Sequence, residues 1–368
     1  MNQFIDELEE YKGFDFEGFF ASVTDADILS VLEREHLTRM DYLTLLSPRA
    51  AKYLELMAQR AHKETVRNFG YTMQLFSPMY IANYCCNHCV YCGFNHDNKI
   101  ARSQLSMDEI RHEGEALAAT GLKHVLVLTG ESPQYSPVDY ILDAVRVLND
   151  IFSSVCLEVY SFKEEDYKRA VAAGADGMTM FQECYDKDAY KPLHPAGPKS
   201  IYEFRLDAPE RACRAGMREI GLGALLGLRP WRSEAFFTGM HADYLQHKYK
   251  DISVAISTPR LRPCVAGFQP RDVVSDVDLI QYITAFRIFM PRAGITMSTR
   301  ETPALRDHAV YLGVTKMSGS SSTAVGGHTK GEDSSQFDIS DTRTVEEMAS
   351  MLYKEGYQPV YKDWQVLV

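Results

Sequence analysis

No cysteine follows Cys264 in this chain of 368 residues, and no uncharged apolar run reaches the ~18 residues that a membrane-spanning helix needs. The missing run argues against a helical membrane protein. The first ten residues, Met-Asn-Gln-Phe-Ile-Asp-Glu-Leu-Glu-Glu, are acidic and amphipathic, with no basic stretch leading into an apolar one, so the chain is expected to be cytoplasmic and not exported. Positive charge is also short. A formal net charge of −11 counts against nucleic acid, whose affinity comes largely from Lys and Arg displacing counterions. No Gly-x-Gly-x-x-Gly follows the first predicted strand, so the dinucleotide fingerprint is missing. What remains is an ordinary globular composition, 45% hydrophobic in 41.7 kDa, enough for one large core or two modest ones.

Against these gaps stands one concentration. Four of the eight cysteines fall within Ile81-Ala-Asn-Tyr-Cys-Cys-Asn-His-Cys-Val-Tyr-Cys-Gly-Phe-Asn95, a crowding that asks for a metal. Cys85, Cys89 and Cys92 are spaced C-x3-C-x2-C, with Tyr91 before the last thiol and Cys86 left over. Three thiolates suit a [4Fe–4S] cube with one open iron better than a closed zinc site, which wants four ligands. A zinc knot completed by His88 or His96 stays open as an alternative, although the usual second C-x2-C pair is lacking. Buried thiols without a metal are the blandest reading. Cys156, Cys184, Cys213 and Cys264 show no pairing by spacing and read as reduced, buried small hydrophobes.

Residues 1–70 carry helical periodicity only and are expected to form an N-terminal helical extension. Thr24 caps one helix, Ser47-Pro48 opens a longer one, and Gly70 ends it. From Ser106 the pattern alternates. Ser106-Met-Asp-Glu109 is a capping box, Gly121 stops the helix, and Lys123–Thr129 reads as a buried strand. Ala-Gly pairs at 173–174, 215–216 and 293–294 repeat the helix-stop signal. The predicted strands are 73–83, 123–129, 154–160, 177–182, 218–226, 252–258, 294–299 and 314–318. Eight strands alternating with helices specify an α/β fold, a closed (β/α)8 TIM-type barrel over residues 71–318, with an open doubly wound sheet as runner-up. Residues 319–368 are expected to supply a loop and a helix (Thr344 to Glu355) capping the barrel. The Gly- and Ser-rich stretch after Gly319 reads equally as a solvated linker or a substrate cover.

In either fold ligands bind at the C-terminal ends of parallel strands, and the cysteine loop falls at such an end. So do Thr129-Gly130-Glu131, Glu158, Tyr160, Gln182-Glu183 and Ser298-Thr-Arg300-Glu301. Carboxylates inside a sheet are costly unless paired, so Glu158 and Glu183 require partners, either a cationic ligand or Arg205, Arg218 or Arg229. Arg300 is the best anchor for an acidic substrate, since a guanidinium can grip a carboxylate with two parallel hydrogen bonds.

The run Cys85-x3-Cys89-x2-Cys92 with Tyr91, together with Gly130-Glu131, resembles the radical S-adenosylmethionine (SAM) enzymes. Pro78–Cys85, Phe181-Gln-Glu-Cys-Tyr185, Arg205–Ala212 and Met297–Asp307 narrow the resemblance to the aromatic amino acid lyases of that family. Pro259-Arg-Leu-Arg-Pro-Cys264 and Gln358-Pro-Val-Tyr-Lys-Asp-Trp364 are most similar to the tyrosine lyases of thiamine biosynthesis. The match spans roughly residues 70 to 364. It implies a [4Fe–4S] cluster on Cys85, Cys89 and Cys92, whose fourth iron is chelated by SAM. It implies Gly130-Glu131 for the SAM ammonium, Glu183 and Arg205 for its ribose and methionine parts, Glu158 in the same cofactor set, and Tyr91 beside the adenine. Ser298, Arg300 and Ser318 are implied for the tyrosine carboxylate. Where the family pattern has Thr, this chain has Cys184.

The resemblance further implies that one electron cleaves SAM to methionine and a 5′-deoxyadenosyl radical, which takes hydrogen from the amino group of L-tyrosine. The Cα–Cβ bond then breaks to give 2-iminoacetate (dehydroglycine) and p-cresol. Glu301 and His328 are the candidates for receiving the phenol proton. A one-electron reductant such as flavodoxin or ferredoxin is needed, and the implied partner is thiazole synthase; no nucleic acid and no membrane is expected. The related lyase of hydrogenase maturation carries three further cysteines in a C-terminal extension for a second cluster; with none after Cys264, the products are expected to stop at p-cresol and dehydroglycine. The tryptophan lyases remain a rival, and a zinc-stapled, non-catalytic binding protein is the alternative from another class.

Overall fold

The computed structural model describes residues 3–331 and 334–362. Eight parallel strands run in sequence order: β1 Thr72–Ala82, β2 His124–Thr129, β3 Ser154–Glu158, β4 Gly177–Glu183, β5 Glu219–Ala224, β6 Ser253–Ser257, β7 Gly294–Met297 and β8 Lys316–Ser318. Each pairs with the next, β8 returns to β1, and β1 also pairs with β2. That closure rules out the open doubly wound sheet. The strands start and stop within a few residues of the expected positions because each is a run of buried apolar residues bounded by helix stops. A short ninth strand, β9 Gln358–Val360, adds in parallel to the N-terminal part of β1. Three residues are too few to carry a periodic signal, so the sequence did not announce it. The quoted residues Asp363 and Trp364 lie outside the described residues, as does Glu332 at the end of the Gly- and Ser-rich stretch.

Local chemistry explains the helix boundaries. Thr24, Ser106 and Thr344 each form a capping box with an acidic residue three positions on. Gly174 and Gly216 end their helices at φ +107° and +91°, a left-handed conformation that side chains resist. Gly294 departs from that pattern. It is the first residue of β7, five residues beyond the helix Asp276–Phe289, and a Cβ there would stand 3.0 Å from the Ala255 Cβ. Ser47-Pro48 opens a 3-10 turn, Pro48–Tyr53, which leads into the helix Leu54–Phe69.

The regular elements within residues 4–69 are all helical, and they pack behind the barrel against the helices Trp231–Lys248 and Asp276–Phe289. Phe4, for example, is buried with its ring stacked on His241 at 4.0 Å. No helix among the described residues is long and apolar enough to cross a membrane.

Candidate active site

The cysteine loop leaves the C-terminal end of β1 and is tied down from three sides. Arg102 donates to the carbonyls of Asn83 (2.6 Å), Phe94 (2.9 Å) and Asn95 (2.6 Å), gathering the loop around one guanidinium. The Cys86 amide donates to the Glu131 carbonyl at 2.8 Å, and the Val90 amide to the Leu193 carbonyl at 3.2 Å. At Gly130 a Cβ would come within 2.3 Å of the Tyr84 carbonyl oxygen. Only glycine lets the end of β2 press so closely on the loop.

One cavity of about 690 Å³ is lined by Cys85, Cys89 and Cys92, by Gly130 and Glu131, and by Glu158, Glu183 and Arg205. Cys86 is not among its lining residues. Burial pushes the Cys89 thiol up to about 12 and the Cys92 thiol to about 11, so these sulfurs become thiolates readily only when a cation takes their protons' place. Among the described residues the group of three His, Cys, Asp or Glu ligand atoms lying within 4.8 Å of one another is His88, His96 and Asp97. The three cysteine sulfurs are therefore set wider than a shared zinc ion requires, since two sulfurs each ~2.3 Å from one metal lie within about 4 Å. A wider metal–sulfide cube suits them better.

Around the thiols the polar groups are organised by contacts that no sequence pattern carries. The Asn87 amide nitrogen donates to Glu131 at 2.6 Å and approaches the Cys85 sulfur at 3.7 Å. Lys199, far along the chain, donates to Glu183 at 2.7 Å, with the Arg205 guanidinium 3.7 Å from the same oxygen. This answers the question of Glu183's partner. Arg205 was a candidate and Lys199 was not, while Arg218 pairs with Asp176 and Glu219 and Arg229 pairs with Asp186. Glu183 holds φ +70° at the irregular end of β4, an unusual backbone state for a side chain of that size. Tyr91 does not line the cavity. It is packed behind the loop, its hydroxyl 2.7 Å from His194 Nε2. Cys184, where the family pattern has Thr, donates to the Asp186 carbonyl at 3.4 Å and faces Glu234 at 3.7 Å.

A second cavity, about 990 Å³ counted to its mouth, fills the barrel interior and shares Tyr80, Leu128, Glu158, Thr179 and Phe181 with the first. Burial pushes the shared Glu158 up to about 7 against the opposing pull of Arg300. Ser298, Arg300, Glu301 and Ser318 all line this barrel cavity. The Ser318 hydroxyl accepts from the Thr299 amide at 3.2 Å, and the Arg300 guanidinium lies 3.4 Å above the Phe337 ring. Glu301 is gripped by both Nε and Nη2 of Arg260, so it is occupied by a part-buried ion pair. His328 lines neither cavity; its Nε2 is 3.0 Å from the Pro78 carbonyl. The structure thus brings Ser298, Arg300 and Ser318 together and leaves His328 outside.

Residues just beyond the Gly- and Ser-rich stretch reach both cavities. Gln336 accepts from Tyr80 Oη at 2.7 Å and approaches the Cys92 sulfur at 3.7 Å, while Phe337 sits on Arg300. Gln336 and Phe337 were not legible as site residues, because nothing local marks them. The nearest signal is Gly93, where a Cβ would meet the Gln336 carbonyl oxygen at 2.1 Å.

Comparison with known proteins agrees with this architecture. The profile "Radical SAM superfamily" matches residues 79–234, and "Biotin and Thiamin Synthesis associated domain" matches residues 257–358. The chain is 37% identical to 2-iminoacetate synthase of Salmonella typhimurium, over 99% of this chain and 97% of that protein. It is 38% identical to 2-iminoacetate synthase of Escherichia coli, over 93% and 91% respectively. Among solved structures, HydG, a maturase of the [FeFe]-hydrogenase, superposes with a TM-score of 0.92 at 32% identity, over 98% of this chain and 81% of that chain.

Proposed function

Because the chain belongs to the 2-iminoacetate synthase family of radical SAM lyases, we propose that it cleaves the Cα–Cβ bond of L-tyrosine to give 2-iminoacetate and p-cresol. One observation carries the reading: three thiols line one cavity, and Arg300, a residue able to grip a carboxylate, lines a second that shares a wall with it at Glu158 and Tyr80. Cys85, Cys89 and Cys92 would hold a [4Fe–4S] cluster, and Gly130, Glu131, Glu183 and Arg205 surround the space for SAM beside it. When bound, the pair supplies the 5′-deoxyadenosyl radical that takes hydrogen from the substrate amine.

The chain's own residues do the placing. Arg300, with Ser298 and Ser318, holds the tyrosine carboxylate below the SAM space, so that only the amino group faces it. Gln336 and Phe337 close the mouth and exclude water, which would otherwise quench a radical or hydrolyse the imine. Glu301, neutralised by Arg260, orients the strand end that carries Arg300. A flavodoxin or ferredoxin would deliver the electron in the cytoplasm, and thiazole synthase would receive the labile 2-iminoacetate.

The test is direct. Anaerobically reconstituted protein is mixed with SAM, a reductant and either tyrosine or tryptophan. p-Cresol and 5′-deoxyadenosine from tyrosine support the proposal. An indole product from tryptophan with no cresol from tyrosine overturns it in favour of a tryptophan lyase, and a colourless protein that loads zinc in place of about four irons removes the radical chemistry altogether.

A further inference from the structure

Away from both cavities, the stretch between Cys85 and Cys89 meets the stretch that follows Cys92. The His96 amide donates to the Asn87 carbonyl at 2.9 Å, which closes residues 87–96 into a ring that contains Cys89 and Cys92. At the neck of the ring stand three side chains that line neither cavity, His88, His96 and Asp97. One ligand atom from each lies within 4.8 Å of the other two. The two imidazole rings are 4.9 Å apart, centre to centre, and tilted by 49°. His88 is partly buried, while His96 and Asp97 are exposed.

Two histidines on a surface loop are often no more than solvated polar groups, but these two are held in one particular way. His88 Nδ1 is 2.8 Å from Asp97 Oδ2, and His96 Nδ1 is 3.2 Å from the Cys85 carbonyl oxygen. A carboxylate and a carbonyl only accept, so in the neutral rings Nδ1 carries the proton and Nε2 keeps its lone pair. Metal-ligating histidines show this arrangement, one nitrogen fixed by a carboxylate or a backbone carbonyl and the other on the ion. Two imidazole nitrogens ~2.0–2.1 Å from one ion lie about 3–4 Å apart. Side chains at the neck of a ring already closed through its backbone reach that spacing by small rotations about their own bonds.

We infer that His88 and His96 form a second metal site, which takes one divalent transition-metal ion of the class that zinc and nickel belong to. Nε2 of each ring ligates the ion, Asp97 orients His88, and water completes the coordination. An ion there adds a second link across the neck of the ring, so the segment carrying Cys89 and Cys92 opens to solvent only when the ion leaves. The site is a clamp on the cysteine loop. It goes beyond the lyase reading, because binding of the ion requires neither tyrosine nor SAM.

Calorimetric titration of untagged, iron-loaded protein with Ni²⁺ alone tests the site, since the three thiols are then occupied by the cluster. The wild type is expected to bind one ion per chain. Asp97→Ala is expected to weaken that binding by about 10–100-fold, the usual loss when the group orienting a ligand histidine is removed, and His96→Gln to abolish it, with iron content unchanged in both. Hydrogen exchange of residues 85–97, read by mass spectrometry, tests the clamp. With Ni²⁺ at about ten times its dissociation constant, exchange in the wild type is expected to slow by up to about 10-fold, and exchange in His96→Gln to stay as it was. A wild type that binds no nickel, or a His96→Gln variant that binds it as well, overturns the site. Binding without added protection overturns the clamp and leaves an adventitious ion only. Protein that loads no iron counts against the cluster reading instead, and the difference between wild type and His96→Gln still judges the histidines.

Discussion

At the scale of single residues, the cysteine loop separates two neighbouring thiols by what each one faces. Cys85, Cys89 and Cys92 line the cavity, and Cys86, whose amide is used by the Glu131 carbonyl, does not. Cys86→Ala is therefore expected to retain about four irons per chain after anaerobic reconstitution, whereas Cys89→Ala is expected to lose the cluster and its brown absorbance. Iron analysis of the two variants decides it, and loss of iron from Cys86→Ala would overturn the assignment. The spacing C-x3-C-x2-C carried this assignment from the start, because metal ligation is a local pattern. The neighbours that tune the loop were out of reach of such reasoning. Asn87, Lys199 and Gln336 act through the fold, and an Asn, a Lys or a Gln in a polar stretch looks the same whether or not it meets a thiol.

Among the elements, the cover after β8 is held by a buried charge network. Arg306, on the helix Pro303–Ala309, and Asp341 are both fully buried and paired; Arg306 also donates to the Ser318 carbonyl, and Asp341 accepts from Arg343 at 2.7 Å. Breaking one side of such a pair costs about 3–5 kcal/mol, because the other charge is stranded. Asp341→Asn is expected to lower the melting temperature and, by loosening the segment that seats Phe337 on Arg300, to raise KM for tyrosine by about 10-fold with a smaller effect on kcat. An unchanged KM in a destabilised variant would mean that the cover and the pair are independent. The strands and helices themselves were legible, since buried β-runs, capping boxes and Ala-Gly stops all act within a few residues. Whether the Gly- and Ser-rich stretch was linker or cover could not be read, because its composition suits both. Glu301 and His328 were attractive as bases for the same reason. Both are titratable residues near the rim in sequence, and only the folded chain shows Arg260 on one and the Pro78 carbonyl on the other.

Seen as a whole molecule, the barrel encloses two adjoining cavities, and the N-terminal helices pack against its outer helices. Phe4 stacks on His241 of the helix Trp231–Lys248, and His241 Nδ1 is 3.2 Å from Tyr185 Oη, two residues beyond Glu183. Burial alone lowers the His241 pKa from 6.5 to about 3, so folding requires the neutral ring. In the unfolded chain the ring takes a proton as pH falls through about 6.5, and in the folded chain it does not. The stabilisation is therefore complete above that pH and is lost progressively below it, by about 1.4 kcal/mol for each unit down to about 3. His241→Phe keeps a ring against Phe4 and removes the titration, at a fixed cost from the lost Tyr185 hydrogen bond. Urea unfolding of both proteins between pH 7 and pH 5 should show the variant less stable or equal at the upper end and gaining on the wild type by about 1.4 kcal/mol per unit below pH 6.5. Parallel pH profiles would mean that the His241 ring titrates alike in both states and that the N-terminal helix does not seal it from water.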